Sequence, residues 1–345
     1  MKVAVYYNNR DIRIEEVPVP KISEKEILVK IYASGVCGSD TMEWYRLHKA
    51  PLILGHEIAG EIVETGKAVK NCKIGDRVVI AHHVPCDNCY FCMMGHHTVC
   101  NTLRKTNFDP GGFCEYVRVP EINVDKGIFI LPDTVSYEEG SFVEPLACVV
   151  RAQRITRLQP GMTVLVFGSG IAGLMHIMLA KALGGCNIIA VDISEYRINA
   201  ALKFGASHAF HANAFSIDKL KEYNHGRRAD LVILCTGAVQ AIEFAFKAVE
   251  AGGTLMVFAP SPPNYFAQLD FNELFWRNEI SILSSYAGAP IDYYTALQLI
   301  VYKNLKVKDL ITHRLALNQI IEAFKLVTEA QSSIKVILEP WGSGH

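Results

Sequence analysis

A glycine-rich turn between a strand pattern and a helical pattern constrains this chain more than any other feature. The segment Gly168-Ser169-Gly170-Ile171-Ala172-Gly173 matches G-x-G-x-x-G, follows the apolar run 164–167 and opens a helical pattern over 171–183. In such a unit the first glycine permits the tight turn, the second lets the backbone approach a pyrophosphate, and the third lets helix and strand pack closely. The turn therefore predicts a dinucleotide site, with contacts from Gly168, Ser169, Gly170, Ile171 and Gly173.

An acidic residue stands where such a site binds ribose. Asp192 ends the next apolar strand pattern, at about the 20-residue spacing that this motif requires. A carboxylate there can accept hydrogen bonds from both ribose hydroxyls and would repel a 2′-phosphate, so NAD is favoured over NADP. Arg197 follows on the next helix and is interpreted either as a stacking partner of adenine or as a solvated helix charge.

The patterns before and after residue 140 differ, and the length of 345 residues suits two domains. Up to about residue 140, short runs rich in Val, Ile, Gly and Pro predict an irregular β-rich domain. Later strand patterns alternate with helical ones, which predicts a doubly wound parallel α/β sheet. These strand patterns cover 164–167, 187–191, 230–234, 254–258 and 280–284. The predicted domains are 1–144 together with 288–345, whose closing strand pattern is expected to rejoin the first domain, and 145–287.

Four cysteines form a compact metal-binding pattern. Cys86, Cys89, Cys92 and Cys100 have the spacing C-x2-C-x2-C-x7-C. Four thiolates so close together can complete a tetrahedral shell around zinc with no open position. Disulfides are disfavoured in a reducing compartment, and the ferredoxin pattern ends C-x3-C-P, whereas here Asn101 follows the last cysteine. Residues 86–100 are therefore predicted to form a structural zinc lobe.

Further residues of the types that bind metals are dispersed, and no short spacing unites them. They occur in Cys37-Gly-Ser-Asp, in Gly55-His56-Glu57 and in Glu144-Pro-Leu. In this order, with the cysteine lobe and the glycine turn, the motifs resemble those of the zinc-containing medium-chain alcohol dehydrogenases. The chain is similar in particular to the sorbitol, threonine and sugar-alcohol-phosphate branch, which carries Glu where Glu144 stands. The resemblance covers essentially the whole chain, and it implies a GroES-like β-rich catalytic domain beside a Rossmann cofactor domain.

The resemblance also implies a second zinc, with a catalytic role. Cys37 and His56 are implied as ligands. Glu57 is implied as a direct or exchanging ligand, and Glu144 as a ligand that binds directly or through a water, so the choice between the two glutamates stays open. Asp40 is implied to hold the far nitrogen of His56. Three protein ligands would leave one position for water or substrate.

Ser39 is implied as the first proton acceptor. Met42 stands where the ethanol-oxidising branch has a histidine that relays the proton outward. His48 is a candidate for that relay, and the alternative interpretation is an ordinary surface histidine.

The implied activity is hydride transfer between a secondary alcohol, such as a sorbitol-like polyol, and NAD, with two zinc ions per chain. Threonine or a sugar-alcohol phosphate is the alternative substrate, and a non-catalytic NAD-binding scaffold is the alternative of another class. A net charge of −1 and the lack of a long apolar run argue against nucleic-acid and membrane binding. The start of the chain lacks a secretory pattern, which predicts a cytoplasmic protein. The resemblance further implies a homodimer or homotetramer, paired through the strand near residues 280–285.

Overall fold

The structure is a computed structural model that describes residues 1–185 and 187–342. The chain divides into two compact units. Unit 1 contains Met1–Ala147 and the residues from Ala287 onward, and unit 2 contains Cys148–Tyr286. The last three residues of the predicted range 288–345 lie outside the described residues. No described helix combines the length and the apolar character needed to cross a membrane.

Strands predominate in the first part of the chain, and strands and helices alternate from about residue 163 onward. The strands are β1 Lys2–Asn8, β2 Asp11–Glu16, β3 Ile27–Gly35, β4 Leu52–Ile53, β5 Glu57–Thr65, β6 Arg77–Ile80, β7 Tyr116–Val119, β8 Ile128–Ile130, β9 Thr163–Phe167, β10 Asn187–Asp192, β11 His208–His211, β12 Ala229–Leu234, β13 Val249–Val257, β14 Ser281–Ser284, β15 Ile311–Ala316 and β16 Lys335–Glu339. The helices are α1 Glu43–Arg46, α2 Tyr90–Met93, α3 Glu121–Lys126, α4 Tyr137–Gly140, α5 Val143–Ile155, α6 Ile171–Ala182, α7 Glu195–Phe204, α8 Ile217–Glu222, α9 Val239–Ala248, α10 Phe271–Leu274, α11 Pro290–Val301 and α12 Ile320–Glu329.

Unit 1 is built on a mainly antiparallel sheet with the strand order β15-β16-β3-β5-β6-β8, and β7 also pairs with β3. A smaller sheet has the order β2-β1-β4. The central strand β3 is apolar along most of its length, and Val29 and Ile31 on it are completely buried with Ile62 of β5 and Val78 of β6. The closing strand β16 pairs with β3. The strand that ends the described chain thus lies beside the strand that leads to Cys37.

Unit 2 is built on a parallel sheet with the order β11-β10-β9-β12-β13-β14. Strand β9 is buried at all its positions because it lies in the middle of this sheet. Its neighbours β10 and β12 are almost as fully buried. Continuous apolar runs of this kind belong to sheets that helices cover on both faces. The prediction of a doubly wound parallel sheet is confirmed.

The predicted elements of unit 2 differ from the observed ones mainly at their ends. The helical pattern 171–183 corresponds to α6, which ends at Ala182. Helix α9 runs from Val239 to Ala248, and Val249 already begins β13, whose predicted pattern started at residue 254. Strand β11 was not predicted, because its two histidines break the apolar run and an edge strand needs less burial.

Candidate active site

Strand pairing brings three of the implied ligands together in unit 1. Cys37 lies just after β3, while His56 and Glu57 lie at the beginning of β5. Gly35 pairs with Glu57 in the antiparallel ladder, so the end of β3 meets the beginning of β5. One donor atom from each of Cys37, His56 and Glu57 lies within 4.8 Å of the others. A thiolate, an imidazole and a carboxylate form a donor set typical of catalytic zinc, which keeps a further position open.

Asp40 orients two members of this cluster. Its side chain is completely buried. One carboxylate oxygen accepts a hydrogen bond from Cys37 N at 3.1 Å, and the other lies 3.4 Å from His56 Nδ1. Burial alone would lower the pKa of His56, but the Asp40 carboxylate raises it well above its usual value. Because Nδ1 faces Asp40, Nε2 is the nitrogen left to bind a metal.

Glu57 has a partner that the sequence analysis did not predict. The ammonium of Lys335, at the start of β16, donates to Glu57 Oε2. Lys335 has no solvent exposure and Glu57 has 1%. The two residues are 278 positions apart, and no local pattern links them. They meet because β16 and β5 both pair with β3.

Glu144 lies near the cluster but outside the group of donors within 4.8 Å of one another. It stands in the first turn of α5 with 5% exposure, and its Oε1 lies 3.9 Å from His82 Nδ1. The His82 ring lies 5.0 Å from the His56 ring, centroid to centroid. Burial lowers the pKa of His82 well below its usual value, so this imidazole is neutral at neutral pH. His82 was missed because a histidine next to His83 has no recognisable ligand spacing.

Ser39 is held by an arginine that the sequence analysis did not single out. Arg46 donates from Nη2 to Ser39 Oγ at 3.1 Å and from Nε to Ser39 O at 2.9 Å. The backbone N–H of Ser39 points to Cys37 Sγ at 3.4 Å. His48, the candidate for the proton relay, is exposed on the short turn after α1.

The cysteine lobe has the geometry of a metal site. One sulfur atom from each of the four cysteines lies within 4.8 Å of the others. The Cys89–Cys92 and Cys86–Cys100 sulfur pairs are each 3.6 Å apart. Tetrahedral zinc with bonds of about 2.3 Å places two sulfurs about 3.8 Å apart, whereas a disulfide needs about 2.05 Å. The lobe therefore fits zinc and excludes disulfides between these pairs.

The thiols of the lobe differ in how readily they lose protons: burial raises the pKa of Cys92 to about 12, whereas the pKa of Cys100 is lowered. Burial would raise the pKa of Cys100, but backbone N–H groups at Cys86, Leu103 and Thr102 lower it to about 6. Such donors stabilise the thiolate, which is the form that binds metal. The buried side chains of the lobe are Cys92, Cys100 and Leu103, so sulfur makes up most of its core.

The glycine turn links β9 to α6 as predicted from the sequence. Gly168 has a φ of +87°, a conformation that other residues rarely adopt. A Cβ on Gly173 would overlap Gly168 O. A Cβ on Gly170 would meet nothing closer than the Arg197 guanidinium at 3.7 Å. Ser169 Oγ is buried and has no hydrogen-bond partner within the described part of the chain. An open second glycine and an unsatisfied hydroxyl fit a phosphate ligand at this helix N-terminus.

Asp192 lies at the end of β10, beside the glycine turn. One carboxylate oxygen accepts from Ser169 N at 2.6 Å and the other from Ser194 N at 2.9 Å. Asp192 therefore fixes the backbone of the turn. Arg197 is half-buried and reaches over Gly170, so its guanidinium lies beside the turn.

Comparisons with known proteins agree with this geometry. Residues 23–132 match the alcohol dehydrogenase GroES-like domain, and residues 172–302 match the zinc-binding dehydrogenase domain. The chain is 32% identical to the sorbitol dehydrogenase of Bacillus subtilis, covering 99% of this chain and 97% of that protein. It is 34% identical to sorbitol dehydrogenase 1 of Saccharomyces cerevisiae, over 91% and 90%. The structure of 2R,3R-butanediol dehydrogenase from Bacillus subtilis superposes with a TM-score of 0.86 at 28% identity, covering 98% and 99%.

These matches extend over nearly the whole chain and follow the order of the motifs. The GroES-like and Rossmann folds implied by the sequence are thereby confirmed. The chain belongs to the zinc-containing medium-chain alcohol dehydrogenases, in the branch of the sorbitol dehydrogenases and their relatives.

Proposed function

We propose that this chain is a zinc-dependent oxidoreductase that transfers hydride between a secondary alcohol of a polyol and NAD. The observation that carries the proposal is the convergence of Cys37, His56 and Glu57 on one point in unit 1. Relatives over nearly its full length are named sorbitol dehydrogenases, which supports a polyol as the substrate. Zinc at this point would supply Lewis acidity that lowers the pKa of the substrate hydroxyl, and NAD would accept the hydride.

The chain's own residues bind and orient the reactants. Cys37 and His56 would hold the zinc, with Asp40 fixing both of them. Glu57 would be the third donor, and Glu144 would reach the metal directly or through a water. Both glutamates are buried, so their carboxylates are shielded from water and stay close to the proposed zinc site.

Ser39 would take the proton of the substrate hydroxyl. A serine oxygen accepts two hydrogen bonds and donates one. Arg46 uses one accepting position, which leaves the second for the substrate hydroxyl and the serine proton free to move on. Met42 has no group that carries a proton, so the route from Ser39 to solvent does not pass through it.

Two further sites complete the proposal. Cys86, Cys89, Cys92 and Cys100 would hold a structural zinc, because their sulfur spacing suits a closed tetrahedral shell. In unit 2 the glycine turn would bind the pyrophosphate of NAD. Asp192 would bind the ribose hydroxyls and exclude NADP, while Arg197 would lie beside the adenosine half of the cofactor.

We also propose the assembly and location of the chain. Strand β14 pairs only with β13 among the described strands and exposes Ser281, Ile282 and Ser284, so it is suited to pair with a second copy in a homodimer or homotetramer. Sedimentation of the wild type beside an Ile282→Lys variant tests this, and a monomeric wild type would contradict it. Thiolate ligands at both metal sites favour the cytoplasm, where cysteines stay reduced.

The activity is tested by assaying the purified protein for reduction of NAD and NADP. The panel contains sugar alcohols, their phosphates, threonine and simple alcohols, and zinc is counted on the same sample by mass spectrometry. We expect two zinc ions per chain and NAD-dependent oxidation of a sugar alcohol. Oxidation of threonine alone, or of a sugar-alcohol phosphate alone, would show that this compound and not a sugar alcohol is the substrate. NAD binding without turnover of any of these compounds would favour the alternative of a non-catalytic, NAD-binding scaffold.

A further inference from the structure

We propose that Lys335 is a positioning residue for the catalytic metal and that it limits how strongly Glu57 binds zinc. This role rests on the proposed zinc site at Cys37, His56 and Glu57. The Glu57 carboxylate, which lies close enough to coordinate the metal, would then act as a weak, exchangeable ligand.

The contact between Lys335 and Glu57 is enclosed on every side that the structure describes. Both side chains are buried, and the ammonium also donates to Val36 O at 3.3 Å. The same ammonium lies 5.8 Å from the centre of the Phe142 ring. A Cβ on Gly35 would overlap both the Glu57 carboxylate and the end of the Lys335 side chain. Glycine at position 35 therefore leaves the space that this ion pair fills.

The Glu57 carboxylate is too deeply buried for water to solvate its charge. It has 1% exposure, and Lys335 beside it has none. A charge left uncompensated away from water is costly. The Lys335 ammonium, in contact with Glu57, supplies the compensating positive charge.

The ion pair also changes Glu57 as a ligand. An oxygen that accepts from an ammonium has less electron density to give to a metal, and only the other oxygen stays available. Partners of this kind orient metal ligands and tune their basicity. Glu57 is thus restricted to weak coordination through one oxygen, which keeps a zinc position open for substrate.

The experiment compares Lys335→Met, Glu57→Gln and the double variant. Zinc dissociation constants are measured by chelator competition on the metal-depleted proteins, and cobalt is substituted for zinc to record its visible spectrum. The same substitutions in a Cys37→Ser background report the cysteine lobe alone and are subtracted. Lys25→Met, which removes an exposed ion pair with Glu121, is the matched control and leaves zinc affinity unchanged.

If Lys335 weakens zinc binding by Glu57, removing its charge should tighten zinc binding. A lysine with a purely structural role would not have this effect. In Lys335→Met the freed carboxylate binds zinc more strongly, so the dissociation constant falls by roughly tenfold. The cobalt absorption weakens in the same variant, because the coordination number rises. In Glu57→Gln the dissociation constant rises by roughly tenfold or more, since Lys335 is left buried and unpaired beside a cation.

The double variant restores the balance of charge and binds zinc roughly tenfold more tightly than Glu57→Gln alone. The comparison of the double variant with Glu57→Gln tests the role of Lys335 even if Lys335→Met does not fold, because the double variant buries no unpaired charge. Looser zinc binding in Lys335→Met with an unchanged cobalt spectrum would overturn the inference, as would equal affinities of Glu57→Gln and the double variant. A wild type that binds zinc only at the cysteine lobe would instead refute the proposed function.

Discussion

At the scale of single residues, Asp40 contacts two of the proposed metal ligands with one side chain. One of its oxygens holds the backbone N–H of Cys37 and the other faces His56 Nδ1. The carboxylate is completely buried, and its contacts with His56 and with Arg46 at 3.6 Å offset the cost of that burial. The orientation of both ligands therefore depends on the charge of this residue.

Replacing Asp40 by asparagine should weaken zinc binding at the catalytic site by about 10- to 100-fold, because partners of metal ligands contribute about that much. Zinc per chain, measured after dialysis against a graded series of chelator concentrations, checks the expectation. Asp11→Asn is the control, since Asp11 lies on β2 and pairs with Arg13 at the surface. Equal zinc retention in the two variants would contradict the role given to Asp40.

Residues whose chemistry follows from local spacing could be predicted, and residues defined by long-range contacts could not. The four lobe cysteines and the glycine turn each fall within a short segment, so the sequence predicted them directly. Cys37 and His56 needed the family resemblance, because their meeting depends on the pairing of β3 with β5. Lys335, Arg46 and His82 escaped both arguments. Each is an ordinary residue in its local context and acquires a role only through a side chain that it meets in the fold.

At the scale of elements, the glycine turn assigns different tasks to its glycines. Gly173 has no room for a side chain because Gly168 O lies against it. Gly170 has room for a methyl group, since its nearest neighbour would be the far end of the Arg197 side chain at 3.7 Å. Packing between helix and strand explains Gly173, whereas the open space over Gly170 is where we propose that the cofactor pyrophosphate lies.

We therefore expect two alanine substitutions in this turn to affect different properties, stability in one case and NAD binding in the other. Gly173→Ala should lower the free energy of unfolding by about 1–3 kcal/mol, the usual cost of forcing a methyl group into a packed contact. Gly170→Ala should leave the thermal midpoint nearly unchanged but weaken NAD binding by roughly tenfold or more, because its methyl group blocks the approach of the pyrophosphate. Calorimetry and NAD titration of both variants check this. Tight NAD binding by Gly170→Ala would mean that the cofactor does not lie on this turn.

The cysteine lobe should depend on its metal for stability. Its core consists of sulfur and Leu103, so few apolar contacts remain once zinc is removed. Cys89→Ser should lower the thermal midpoint by several degrees, since structural zinc contributes folding free energy. Cys72→Ser, which changes a half-buried thiol outside the lobe, is the matched control. A midpoint equal to that of the control would contradict the lobe as a zinc site.

The strands of the parallel sheet were easier to predict than their boundaries. Strands β9, β10 and β12 are apolar throughout because they are buried on both faces. Edge strand β11 is only partly buried and carries His208 and His211, so its sequence gives no such pattern. Burial is a property of position in the sheet, which a local pattern reports only for central strands.

At the scale of the whole molecule, each unit carries its own chemistry. The proposed metal ligands and Lys335 belong to unit 1, whereas the glycine turn and Asp192 belong to unit 2. The tail strand β16 is part of the sheet of unit 1, although all of unit 2 precedes it in the sequence. Damage to one site should therefore spare the other.

Cys37→Ser should abolish turnover while the NAD dissociation constant stays within about twofold of the wild-type value, because effects at sites without shared partners are independent. Fluorescence titration with NADH and a turnover assay on the same preparation check both parts. Cys148→Ser, a change of thiol at the start of unit 2, is the control for loss of a cysteine as such. Retained turnover in Cys37→Ser would rule out the catalytic metal site.

The position of Lys335 in the chain has a consequence for biosynthesis. Unit 2 is one continuous segment and can fold on the ribosome as soon as it emerges. Unit 1 must wait, because its sheet lacks β16 between β15 and β3 until residue 335 has been translated. During that interval Glu57 lacks the Lys335 ammonium, and Ser34 and Gly35 at the end of β3 lack their partners on β16. The order of synthesis therefore predicts that the fold of unit 2 forms before the metal site of unit 1 is complete, and we expect the proposed catalytic zinc to be loaded late.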